Sequence, residues 1–140
     1  MNKRNYNKEM QDEISSIGCR KPSMLLQCCC APCATAVINR LKDFDVTLFY
    51  YNPNTFPESE YQKRFETLKV YVDKAELGLN IVEIGYRDED YLAAVSGFSD
   101  TTEGGPRCAV CIRTRLTKTA EYAKAVSYTH LRAHETKANL

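Results

Sequence analysis

The chain has 140 residues, a formal net charge of +1 and seven cysteines. A hydrophobic share of 44% and a charged share of 26% are those of a globular protein, which excludes a disordered, collagenous or coiled-coil chain. No apolar run approaches the roughly 18 residues of a membrane helix, and MNKRNYNKEM has no apolar core behind its basic residues. No membrane span or secretory signal is therefore expected, and the expected location is the cytoplasm. In a reducing compartment, seven cysteines read as metal ligands or redox thiols rather than as a disulfide frame.

Met10, Ile14 and Ile17 stand at helical spacing in a polar opening stretch and predict a short, weakly anchored helix. Met24, Leu25 and Leu26 begin a compact apolar run that ends in cysteines and suits a buried strand. A helix follows over 34–41, with Val37, Ile38 and Leu41 on one face. The β-branched and aromatic run 46–51 predicts a second strand, closed by the turn Asn52-Pro53-Asn54. Thr55 and Glu58 have capping-box spacing around Pro57, and Tyr61, Phe65, Leu68 and Tyr71 or Val72 then recur through a long helix to Ala75, with Gly78 as its stop. A third strand is expected over 80–84, a short helix over 88–95, a loop over 97–106 and a last helix over 107–125. Ile112, Leu116, Ala120 and Ala123 are that helix's expected packing residues. Alternating strands and helices imply an α/β fold with a parallel sheet, and ligands of such sheets gather beyond the carboxyl ends of the strands.

Positions 104–126 hold Arg107, Arg113, Arg115, Lys118 and Lys124 against Glu121 alone. Such a stretch either steers a phosphate-rich partner or is a solvated helix face. His130 and His134 are the only histidines. Their late position disfavours a Ser-His or Cys-His nucleophile pair and a histidine-bearing zinc site.

Six cysteines form two groups: Cys28, Cys29, Cys30 and Cys33 in LQCCCAPCATAV, and Cys108 and Cys111 in GGPRCAVCIRTR. A Cys-x-x-Cys at a helix start can place two sulfurs on one ion, and the helix dipole lowers thiol pKa. Joined in the fold, the groups supply four or more thiolates, a donor set for zinc or an iron–sulfur cluster. Spacing alone does not choose between these metals. A thioredoxin-like thiol oxidoreductase using Cys30 and Cys33 is a third reading, although it leaves the other four cysteines without a task. A non-catalytic zinc-binding or tRNA-binding module is a fourth. A nucleotide-binding pyrophosphatase-like reading suits the fold but lacks a phosphate loop after the first strand.

CCAPC after the first strand, YYNPN with PESEYQKR after the second, and EGGPRCAVCIRTRL together resemble the epoxyqueuosine reductases of the QueH type, over about 24–125. The resemblance implies an iron–sulfur reductase that converts epoxyqueuosine in tRNA to queuosine. It implies a Rossmann-like, three-layer α/β fold, a [4Fe–4S] cluster held by Cys29, Cys30, Cys108 and Cys111, and Cys33 beside an additional iron ion. An electron donor, unnamed by the sequence, is implied as well. Asn52, Asn54 and Arg107 are the candidate substrate contacts. Asn52 and Asn54 would either touch substrate or turn the chain, and Arg107 would offset cluster charge or hold a tRNA phosphate. Gly104 and Gly105 would let the backbone approach the cluster. Tyr50 and Tyr51 are expected as core and edge residues, and Glu58, Tyr61 and Arg64 match family-like positions while having the spacing of a wet helix face. Gln27 stands where the family often has His. Cys28 and Cys19 receive no role, and no proton donor is identified.

The chain departs from the pattern at its end. VSYTHLRAHETKANL breaks the helical periodicity, and the family's late redox-active cysteine pair does not occur. The expected organisation is an N-terminal extension over 1–22, a partial reductase domain over 23–125 with an incomplete sheet, and a non-native tail over 126–140. Such a fragment is expected to be inactive.

Overall fold

The structure, a computed structural model, describes residues 4–126 and the backbone of 130–133. In chain order it contains α1 (Tyr6–Ile17), β1 (Ser23–Cys28), α2 (Ala31–Arg40), β2 (Asp45–Tyr50), α3 (Glu58–Lys74), β3 (Asn80–Glu83), α4 (Asp88–Val95), α5 (Pro106–Ala125) and β4 (His130–Ala133). The strands pair in the order β3-β2-β1-β4, all of them parallel. In register, Leu26 of β1 stands opposite Leu48 of β2, and Leu48 opposite Ile81 of β3. The chain is thus α/β with an open parallel sheet, as the alternation of strand and helix patterns implies. Most of the tail expected to be foreign lies outside the described residues; its described part includes β4, a strand the sequence patterns did not predict.

Successive side chains of a strand point to opposite faces, and here both faces are covered. Met24, Leu26 and Cys28 of β1 join Val46, Leu48 and Tyr50 of β2 in a core against α2 and α3, with Ile17 of α1 at its edge. Leu25, Phe49 and Tyr51 point the other way and meet Ala123 and Tyr122 of α5. Helices on both sides make three layers and explain why β1 and β2 read as continuous apolar runs. Burying a side chain such as Leu26 or Leu48, neither of which is exposed, contributes about 1.5–3 kcal/mol.

Three local expectations need correction. Helix α3 starts at Glu58 with Pro57 as its N-cap and no side-chain cap bond, while Thr55 is buried, so Thr55 and Glu58 form no capping box. The helix ends before Gly78: Glu76 takes the left-handed conformation (φ 51°), and Leu77 N–H donates to Val72 O while Glu76 N–H donates to Asp73 O. These bonds form a Schellman motif that satisfies two terminal carbonyls. Tyr61 is no wet-face residue. It is fully buried, its hydroxyl donates to Glu83 Oε1 at 2.9 Å, and its carbonyl accepts the Tyr50 hydroxyl at 2.9 Å.

Helix α5 is rotated from the expected packing. Its buried residues are Arg115, Thr119 and Ala123, while Ala120 is exposed and Ile112 and Leu116 are half-buried. This rotation turns Arg115 and the cysteine-bearing turns of α5 towards the carboxyl end of the sheet.

Candidate metal centre

The first cysteine group sits where β1 hands over to α2. Cys28 ends the strand and is fully buried, and its thiol donates to Phe49 O at 3.9 Å. Burial pushes that thiol up to about 12, so Cys28 stays protonated. Cys30 is the N-cap of α2, in extended conformation, with Pro32 in the first turn. Cys29 and Cys30 are half-buried and Cys33 is exposed. The sulfurs of Cys29, Cys30 and Cys33 all lie within 4.8 Å of one another. Among the described residues this is the one group of three or more such ligand atoms close enough to hold a metal ion.

The three thiols are not equivalent. Cys29 is pushed up, first by burial and then by its neighbours Cys30 and Cys33, and its thiol donates to Cys30 Sγ at 3.8 Å. Burial also acts upward on Cys30, but hydrogen bonds from Cys33 and Cys29 and the charge of Arg64 outweigh it and hold Cys30 below the usual thiol range. Of the three, Cys30 caps the helix N-terminus, where the dipole favours negative charge.

The second group rides on the first two turns of α5. Gly105 caps the helix and Pro106 occupies its first turn. Gly104, at φ 79°, turns its N–H onto Cys108 Sγ at 3.3 Å. The absent Cβ of Gly105 makes room for Thr102 O, which a Cβ would approach to 2.9 Å, so that glycine serves the turn and not an approach to a cluster. Cys108 and Cys111 line a cavity of about 290 Å³ together with Asn54, Tyr91, Glu103 and Arg107. Arg107 and Asn54 are thereby placed beside these cysteines. Asn54 Oδ1 is buried there without a hydrogen-bond partner.

Asn52 takes the framing role. It is fully buried, its amide donates to Cys28 O at 3.0 Å, and its Oδ1 accepts from Gln27 Nε2 at 3.2 Å. These bonds leave it unable to reach a substrate and tie the ends of β1 and β2 together. Gln27 also donates to Tyr51 O, and its Oε1 accepts from Arg115 Nη1 at 3.5 Å. Tyr51 in turn donates to Asp90 Oδ2 of α4 at 2.7 Å.

Sequence reasoning missed Gln27 and Arg115 as members of this site. The signals were present: Gln27 is the one polar residue between Met24 and Cys28, and Arg115 lies one turn beyond Cys111 on the same helical face. Arg64 lies on the wet side of α3, as its spacing implies. It pairs with Glu60 at 2.8 Å, yet its charge reaches Cys29 and Cys30.

The arrangement is a cysteine group able to hold a metal ion at the carboxyl edge of a parallel α/β sheet. Three thiols form one compact group, and two more, Cys108 and Cys111, line a cavity with Asn54 and Arg115 rather than joining that group. The family profile "Epoxyqueuosine reductase QueH" matches residues 24–134. The chain belongs to the QueH epoxyqueuosine reductase family. It is 34% identical to the epoxyqueuosine reductase QueH of Streptococcus pyogenes serotype M1, over 89% of this chain and 51% of that protein. It is 31% identical to that of Staphylococcus epidermidis over 89% of this chain and 56% of the relative. With the Thermotoga maritima protein it shares 36% identity over 73% of this chain and 53% of the relative. The chain thus spans about half the length of these relatives. No helix among the described residues is long and apolar enough to cross a membrane.

Proposed function

We propose that this chain carries the metal-binding part of a cytoplasmic enzyme that reduces epoxyqueuosine to queuosine in tRNA. The observation that carries the reading is the three-thiol group of Cys29, Cys30 and Cys33 on the same sheet edge as Cys108 and Cys111. Family membership supplies the substrate. The donor set fits an iron–sulfur group: soft thiolates, a backbone N–H on one sulfur and nearby guanidinium groups. Cys29, Cys30, Cys108 and Cys111 would hold a [4Fe–4S] cluster, with Cys33 beside an additional iron ion.

When bound, that group supplies electrons from an external donor. The overall change takes two electrons and two protons, breaks both epoxide C–O bonds, forms a C=C bond and releases water. The chain's own residues shape the cavity for it. Asn54 Oδ1, unpartnered in the protein, accepts a substrate hydroxyl, and Arg107 binds a tRNA phosphate. Glu103 and Tyr91 put a carboxyl and a phenol group in the cavity lining, the side chains there that could relay a proton.

Anaerobic reconstitution of the full chain with iron and sulfide tests the reading. A broad visible absorption with bound sulfide is expected, and Cys108→Ala combined with Cys111→Ala should abolish it. An unchanged spectrum in that variant would overturn the ligand assignment. Turnover of epoxyqueuosine tRNA by this chain alone is not expected, because its relatives are about twice as long.

A second reading is favoured by the tightness of the thiol group and by its lone low-pKa thiol. Cys29, Cys30 and Cys33 would then hold a zinc ion without catalysis, or Cys30 and Cys33 would act as a thioredoxin-like pair. Bound zinc without sulfide would support the first form, and a Cys30–Cys33 disulfide that cycles with reductant the second.

A further inference from the structure

We infer that Arg115 is the buried counter-charge of the thiolate–metal centre, and that Gln27 is the positioning residue that aims its guanidinium there. The inference rests on the metal reading above. Arg115 is only 7% exposed, an expensive place for a cation that never deprotonates. Its Nη1 donates to a neutral amide oxygen, Gln27 Oε1, at 3.5 Å. Gln27 is itself fully buried and held from the other side by Tyr51 O and Asn52 Oδ1, so the amide cannot turn away.

Geometry directs the charge to the sulfurs. Arg115 follows Cys111 by one helical turn and lines the same cavity as Cys108 and Cys111. Through Gln27 it is anchored one residue before Cys28 and two before Cys29 on the central strand. It therefore stands where α5 meets the end of β1, at the junction of the two cysteine groups.

The electrostatic balance gives the sign. A site of neutral thiols becomes net negative when several thiolates bind one divalent ion and release their protons. A fixed buried cation favours that product over the protonated site. Removing the charge should therefore weaken metal binding, while a substitution that keeps it should not.

The test is a Co²⁺ titration of the full metal-free chain, read by the thiolate-to-cobalt absorption, with circular dichroism to confirm folding. Arg115→Lys should bind close to the wild-type affinity. Arg115→Gln should lose about tenfold or more, the usual effect of removing a partner of metal ligands. Gln27→Glu keeps the size of the side chain and sets a carboxylate against Arg115. It should weaken Co²⁺ binding with Arg115 still in place, which keeps the test decisive if Arg115→Gln fails to fold. Wild-type affinity in either neutralised variant would overturn the inference, as would equal weakness of Arg115→Lys and Arg115→Gln. Failure of the wild-type chain to bind Co²⁺ would overturn the metal reading itself, a result distinct from the others.

Discussion

Cys28 shows how one position separates three adjacent cysteines of the same type. Its side chain points into the core beneath α2 and α3, and its thiol stays protonated up to about pH 12. An unfolded thiol ionises near 9.0. Between these values the folded chain keeps a proton that the unfolded chain gives up. Stability from this group is full below the unfolded value and falls as the pH rises towards 12, by up to about 1.4 kcal/mol per pH unit. Unfolding free energies from urea titrations across this alkaline range should decline, and Cys28→Ala should make that decline less steep. Metal binding by Cys28→Ala should match the wild type, since Cys28 stands outside the three-thiol group. The sequence showed six cysteines in two groups, but it did not show which of the three in a row faces inward. That depends on the pleat: even positions of β1 enter one core and odd positions the other. The same rule places Gln27 on the α5 side, where it meets Arg115.

The helices repeat this lesson at their ends and faces. Strands β1, β2 and β3 and helix α4 follow their sequence patterns to within a residue or two, because apolar runs bounded by turns leave few alternatives. Helix α5 does not, because its sequence offers two stripes. Ile112, Leu116 and Ala120 form the apolar one, and Cys108, Cys111, Arg115 and Thr119 the polar one. The fold buries the polar stripe against the site, a choice that hydrophobic periodicity cannot reveal. At the end of α3, the Schellman motif puts Glu76 in a conformation that costs an L-residue roughly 1–2 kcal/mol. Glu76→Gly removes that strain but adds freedom to the unfolded chain, so a net gain of about 0.5–1 kcal/mol is expected. Thermal melting checks it, and an unchanged or lower melting temperature would contradict the motif.

A chain with a net charge of +1 has no overall pull on RNA, so the proposed tRNA partner must be met locally. Arg115 is withdrawn into the interior, which leaves Arg113 and Lys124 as exposed cations of α5 and Arg107 and Lys118 half-exposed. Arg113→Ala with Lys124→Ala should weaken binding of an anticodon stem-loop at low salt. It should also reduce the slope of log affinity against log salt by about 1.5. Fluorescence anisotropy across a salt series measures both, and an unchanged slope would remove α5 from the RNA contact.

The strand order also sets a sequence of events. Strands β1, β2 and β3 join through short crossovers, whereas pairing β4 with β1 closes a loop of roughly a hundred residues. The three nearer strands and their helices therefore assemble first, and Cys108 and Cys111 on α5 come from the far part of that long loop. For that interval, Cys29, Cys30 and Cys33 are already close together while Cys108 and Cys111 are still arriving. A metal ion present during folding would thus meet the three-sulfur group first, the one group among the described residues close enough to hold it.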